Sequence, residues 1–239
     1  MLKYICILFL LIKGVFSYAL DKDFTYGAMG GVIFGGPIPV KSADNYKGSP
    51  LFGPYFGMYF DFKLNDNFSL HPEISLAIKG VEYNGQFRRD TIVQTVINGQ
   101  NGWVPTFYVA HISGSISLVY LDIPIFLNYN LTGSTNLFTG TQASILLGGS
   151  NPIKARIVIG EGGLYNDSTT YLDGYSNVRP FEVGFCFGGS QKITEDLTFT
   201  FYGTRSFIPF YKAGTMQSND INTGNLYNTY FVVSISYLF

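Results

Sequence analysis

A hydrophobic pattern of period two, repeated along the chain, limits what this sequence can fold into. In one run Phe56, Met58, Phe60 and Phe62 alternate with Gly57, Tyr59 and Asp61. A strand sends successive side chains to opposite faces, so the two sets belong to two different surfaces. The same alternation recurs in eight runs of about ten residues each. They lie near 24–35, 54–64, 68–80, 118–131, 136–148, 179–189, 197–204 and 227–239. In the third, Phe68, Leu70, Pro72, Ile74, Leu76 and Ile78 alternate with Ser69, His71, Glu73, Ser75, Ala77 and Lys79. In the fourth, Leu121, Ile123, Ile125, Leu127 and Tyr129 oppose Asp122, Pro124, Phe126 and Asn128. In the sixth, Phe181, Val183, Phe185 and Phe187 oppose Glu182, Gly184, Cys186 and Gly188. The fifth is weaker, because Thr139 and Thr141 sit on its apolar side. Helical signals are nearly absent beyond the N-terminal segment.

The connections alternate in length. Runs two and three are joined by Asn65-Asp66-Asn67, four and five by a Thr-Gly-Ser-Thr turn, and six and seven by a short polar segment ending in Glu195-Asp196. The other connections, near 36–52, 81–116, 149–177 and 205–226, are long and rich in Gly, Asn, Ser and Tyr. Compact soluble domains rarely carry several long loops. Transmembrane barrels combine short periplasmic turns with long outer loops. Strands of about ten residues, tilted, cross the hydrocarbon layer, and lipid offers no hydrogen bonds, so the sheet must close. The pattern therefore predicts an all-β fold: an eight-stranded antiparallel transmembrane β-barrel with short periplasmic turns and long extracellular loops. Its aromatic face points to lipid, and its face of small and polar residues points inward. Gly57, Gly140, Gly184 and Gly188 suit a narrow interior. Tyr26, Phe62, Tyr129, Tyr227 and Phe239, near strand ends, are expected in interfacial girdles. A soluble sheet would instead turn Ser69, His71, Glu73 and Ser75 to water. Against it stands a charged fraction of 13%, well below the roughly 25% usual for soluble proteins.

The N-terminus, MLKYICILFLLIKGVFSYALDKD, has a positive start at Lys3, an apolar core from Tyr4 to Ile12, and Ser17 and Ala19 at the positions a signal peptidase reads. This reads as a secretory signal over 1–19, with a barrel domain over 20–239. Cleavage removes Cys6 and leaves Cys186, so an internal disulfide is excluded. The net charge of −1 carries no basic footprint for nucleic acid. On the last run Phe231, Val233, Ile235, Tyr237 and Phe239 share a face. This aromatic ending resembles the assembly signal of bacterial outer-membrane proteins, the strand read by the barrel-assembly machinery.

The predicted inner face holds Asp61, His71, Glu73, Lys79, Asp122 and Glu182. Buried charges need partners, and Glu73 with Lys79 or with His71 are candidate pairs. Two uses are open: a polar path for protons or small solutes, or a plug of ion pairs that fixes strand register. His111 lies near Ser113 and Ser115, a weak nucleophile–base arrangement. Cys186 has no basic neighbour to activate it. No metal-ligand spacing, phosphate loop or nucleotide motif appears, so no cofactor is expected. Loop aromatics and amides (Tyr83, Asn84, Trp103, Phe107 and Tyr108, then Tyr165, Tyr171 and Tyr175) suit a protein-binding surface.

Four segments in order, LHPEISLAIKG (70–80), YLDIPIFLNYNL (120–131), NLFTGTQASILLG (136–148) and FEVGFCFGG (181–189), resemble the PorT-like outer-membrane β-barrel family of the Bacteroidota, within the OmpA-like group of eight-stranded barrels. The resemblance implies a non-enzymatic scaffold or binding module of the cell outer membrane, accessory to secretion or envelope assembly. Its implied partners are outer-membrane lipid, the barrel-assembly machinery and envelope or secretion proteins. A narrow pore and a surface enzyme built around His111 are the alternatives. The long second connection is a departure for which the family pattern supplies no role.

Overall fold

A computed structural model of the chain describes residues 24–39, 46–97, 99–150, 152–160, 168–173, 178–210, 212 and 226–239. The expected signal segment 1–19 lies outside them. The strands are β1 (Phe24–Pro39), β2 (Tyr46–Lys63), β3 (Phe68–Ile97), β4 (Gln100–Thr132), β5 (Thr135–Ser150), β6 (Pro152–Gly160), β7 (Ser168–Asp173), β8 (Phe181–Lys192), β9 (Leu197–Pro209) and β10 (Leu226–Leu238). Eight of them pair in the order β3-β2-β1-β10-β9-β8-β5-β4, and β4 pairs back with β3, so the sheet closes. Every pairing is antiparallel. This is the eight-stranded barrel that the alternation predicts.

The outer face is apolar around the circumference. Phe56, Ile74, Phe185, Phe187, Phe207 and Ile235 are all exposed there. At the end carrying the short turns, aromatic rings pack against each other: Phe24 stacks on Phe62 at 6.0 Å, and Tyr26 on Phe239 at 5.8 Å and Phe68 on Tyr129 at 5.2 Å meet at a tilt. This turn end is the periplasmic end in outer-membrane barrels. Phe24 covers Phe62, which is buried although it belongs to the outward set. At the opposite, loop end, the Arg205 guanidinium lies 6.0 Å from the Tyr227 ring. The inner face is tight. A Cβ at Gly188 would come within 2.3 Å of the Tyr202 Cβ and of the Phe201 carbonyl oxygen.

The strands run much further than the sequence pattern predicts. The connection expected over 81–116 is strand: β3 has 30 residues and β4 has 33. Their register holds from Phe68↔Tyr129 to Ile97↔Gln100 without a shift. The tip contains Gly99 at φ +80°, following Asn98 in sequence, and Asn-Gly is the dipeptide that favours tight hairpins. The expected connection over 149–177 likewise holds β6 and β7. β6 pairs with the outer part of β4 (Phe107–Gly114), and β7 pairs with β6. The expected loop over 36–52 is shortened by β1 reaching Pro39 and β2 starting at Tyr46, and that over 205–226 by β9 reaching Pro209. Outside the bilayer neither face of a strand must be apolar, so alternation fades while the backbone ladder continues.

Phe201 lies outward near the middle of β9, paired with Val233. Phe201→Arg is expected to destabilise the barrel by roughly 2–4 kcal/mol. Ile92→Arg, at an exposed position on the projecting hairpin, is expected to change stability by no more than about 0.5 kcal/mol. Reversible urea unfolding in lipid vesicles measures both.

Candidate functional site

The interior is the candidate site, and it is built in layers by the inward residues of all eight barrel strands. Just inside the turn end lies a cavity of about 380 Å³. Its wall carries Asp61 of β2, Ser69, His71 and Glu73 of β3, and Asn128 of β4. Ser69 Oγ donates to Asp61 Oδ1 at 2.8 Å, and His71 Nδ1 lies 3.1 Å from the same oxygen. His71 Nε2 lies 3.3 Å from Glu73 Oε1. A ring that donates from both nitrogens satisfies both carboxylates. The imidazole stacks on Tyr59 at 5.0 Å, which fixes its plane.

An aromatic partition follows. Phe126 packs on Phe138 at 4.7 Å and on Tyr202 at 5.2 Å. Tyr202 donates from its hydroxyl to Tyr55 Oη at 3.0 Å, and Tyr55 donates to Glu73 Oε2 at 2.8 Å. All four rings are buried. Beyond them is a charged layer. Lys79 Nζ donates to Asp122 Oδ1 at 2.7 Å and to Ser144 Oγ at 3.2 Å. The ammonium also lies 4.7 Å from the Tyr120 ring and 5.5 Å from the Tyr230 ring. Gln142 Nε2 donates to Ser144, and the Cys186 thiol donates to Gln142 Oε1 at 3.6 Å. The Asn228 amide donates to the Glu182 carboxylate, and Tyr230 donates to Asn228 Oδ1. The last layer, at the loop end, is apolar: Val81, Ile116, Leu118, Tyr120, Val178, Phe210 and Leu226 pack together.

The structure thus places the six charged residues singled out from the sequence on the inner wall, in three groups rather than one. Asp61, His71 and Glu73 meet at the cavity. Lys79 and Asp122 pair beyond the partition, so Lys79 bonds Asp122 and not Glu73. Glu182 bonds Asn228. Sequence reasoning missed Tyr55, Tyr202, Asn228 and Tyr230, although each has the inward parity of its strand. Phe231, Ile235 and Tyr237 of β10 and Phe239 just after it are exposed, and Val233 of the same outward set is half-buried. His111 lies on the outer part of β4, in register with Gln86 and Arg156. Ser113 and Ser115 lie further down the same strand. Of the loop aromatics, Tyr165 and Tyr175 fall outside the described residues. Trp103 is exposed. No group of three metal-ligating side chains occurs among the described residues.

A closed sheet with an apolar, aromatic outer face and a charged, hydrogen-bonded interior is an integral β-barrel, suited to lipid on its outer face. Residues 16–212 match the family described as outer membrane protein beta-barrel domain, and the chain belongs to that family. It is an outer-membrane protein. Among solved structures it is similar to Ail, the attachment invasion locus protein of Yersinia pestis, at 9% identity and a TM-score of 0.42, covering 91% of this chain and 99% of that one. It is also similar to the outer membrane protein OprG from Pseudomonas aeruginosa, at 10% identity and a TM-score of 0.38, covering 91% and 97%. Neisserial surface protein A is similar at 11% identity and a TM-score of 0.32, covering 90% and 97%. At such values the likeness says nothing about activity. No curated protein matches the chain.

Lys79 and Asp122 are each 1% exposed. Lys79→Met leaves the Asp122 carboxylate buried without its cation, and the expected loss is about 3–5 kcal/mol. Lys79→Met combined with Asp122→Leu removes both charges and is expected to recover most of that loss. The same urea titrations in vesicles provide the double-mutant cycle.

Proposed function

We propose that the protein is a non-enzymatic scaffold whose barrel holds a rigid hairpin outside the membrane as a binding surface. The observation that carries this reading is the length of β3 and β4. Their 30 and 33 residues far exceed the roughly 9–11 that a bilayer crossing needs. The segment Val81–Ile97 alone extends roughly 55 Å at the usual strand rise. Ile92, Val96 and Trp103 are 62%, 64% and 67% exposed near its tip. Trp103 pairs with Gln94, so all three side chains share one face. An exposed apolar face rimmed by polar residues suits a protein partner.

The PorT-like resemblance supports a partner in secretion or envelope assembly, and a source among the Bacteroidota. For insertion the partner is the barrel-assembly machinery, with the outward side of β10 as its address. The pore reading fares worse. The partition of Phe126, Phe138, Tyr55 and Tyr202 and the apolar layer at the loop end both lie across the axis, with Lys79 locked between them. The enzyme reading around His111 rests only on its nearness in sequence to Ser113 and Ser115.

The test is a tag on the hairpin, crosslinking of intact cells, and identification of the captured proteins. Reproducible recovery of a secretion or envelope component is expected, and its loss in a Trp103→Ala, Ile92→Ala, Val96→Ala triple variant. Recovery of the assembly machinery alone sinks the scaffold reading. In planar bilayers the wild-type protein is expected to conduct no ions. Salt-dependent conductance altered by Glu73→Gln or Asp122→Asn would establish the pore instead.

A further inference from the structure

The cavity at the turn end has no part in the scaffold reading. Its volume of about 380 Å³ falls in the range of small-molecule sites, which is roughly 300–1,000 Å³. Its inner end is floored by Met29, Tyr59, Phe126 and Phe138, and its mouth faces the short turns. The floor is therefore aromatic and the entrance periplasmic.

The chemistry of the wall is one-sided. Asp61 Oδ1 accepts from Ser69 Oγ, from the His71 ring and from Asn128 Nδ2, the last at 3.3 Å. Its second oxygen has no hydrogen-bond partner among the described residues, and the side chain is 31% exposed. Asn128 Nδ2 also reaches Ser69 Oγ at 3.3 Å. Two contacts to oxygen fix which end of the amide is the donor. That orientation leaves Asn128 Oδ1 buried with no partner. An acceptor in that position costs about 1–3 kcal/mol unless something donates to it. One patch of wall thus offers the open oxygen of a part-exposed carboxylate, with the unpaired Asn128 Oδ1 buried beside it and the Glu73 carboxylate also buried. The nearest basic side chain, the His71 imidazole, is committed to Asp61 and Glu73. Lys63 and Lys192 lie at the exposed rim, and Lys63 is 3.3 Å from Asp66. The inner wall therefore disfavours anions. A neutral hydroxyl brings one hydrogen. An ammonium brings three and a matching charge, and an aromatic floor tolerates a cation.

We infer that this cavity is a periplasm-facing binding site for a small solute carrying a primary ammonium group, which docks on Asp61 above the aromatic floor. Asp61 supplies the charge, and the amide-rich mouth (Asn65, Asn67, Asn130 and Asn136) room for the solute's other end.

The experiment titrates the mature protein, in lipid nanodiscs at low salt, with cadaverine, a five-carbon diamine, by calorimetry and by amide NMR shifts. Pentane-1,5-diol, of the same length but neutral, is the control. Saturable binding of the diamine and none of the diol is expected. Asp61→Asn is expected to weaken diamine binding about tenfold or more. Lys192→Gln, at the exposed rim, removes a competing cation and is expected to tighten binding roughly two- to threefold. That second variant and the diol control still decide the matter where Asp61→Asn fails to fold. Absence of saturable binding overturns the proposal. So does equal binding of the diol, or an affinity unchanged in both variants.

Discussion

Hydrocarbon gives backbone amides and carbonyls nothing to bond, and this requirement organises the molecule. Each N–H and C=O in the lipid-crossing part of a strand must find a partner on the next strand, and the last strand must find the first. Here β1 meets β10 along thirteen paired positions, from Gly27↔Leu238 to Pro39↔Leu226. Closure in turn fixes everything radial. Once the sheet is a cylinder, side-chain parity decides whether a residue meets lipid or its opposite numbers across a narrow lumen. Most phenylalanines of the lipid-crossing strands end outside and the carboxylates Asp61, Glu73, Asp122 and Glu182 inside, the reverse of a soluble sandwich.

The lumen shows what eight strands can hold. Such a barrel is just wide enough for side chains to fill it, and the filling is graded along the axis. Polar groups and space lie near the turn end, aromatic rings and then a buried ion pair at mid-height, and a packed apolar layer at the loop end. Lys79 is tolerable because Asp122, Ser144 and two aromatic faces surround it. Among the described residues the grading places the lumen's solvent-accessible polar cavity at the turn end. The cavity and the projecting hairpin accordingly sit at opposite ends of the molecule.

The sequence carried the fold wherever lipid imposed alternation. In β2, β3, β4, β8 and β10 the apolar set alone separates outward from inward residues, and from those parities the inner charged residues follow. Which of them bond each other did not follow. Strand stagger around a barrel decides that Lys79 reaches Asp122 on the adjacent strand, and period two along a single strand contains no stagger. The hairpin was hidden for a different reason. Over 83–112 the ladder is a backbone pairing, which every residue type except proline can both donate to and accept from, so composition there resembles loop. One local signal was available, Asn98-Gly99, and it marks the tip. The apolar layer was hidden because Val178, Phe210 and Leu226 lie at strand ends, where period-two runs are too short to read.

The unbroken register between β3 and β4 has a mechanical meaning. The two strands run from the hairpin tip to the turn end with no bulge and no hinge. A partner pulling on the tip outward along the barrel axis would load that ladder nearly parallel to the strands. Bonds loaded in this way share the force, whereas bonds peeled open at an edge bear it one at a time. The hairpin is therefore a stiff lever continuous with the barrel wall, so tension at its tip would reach the membrane-embedded wall with little lost to bending.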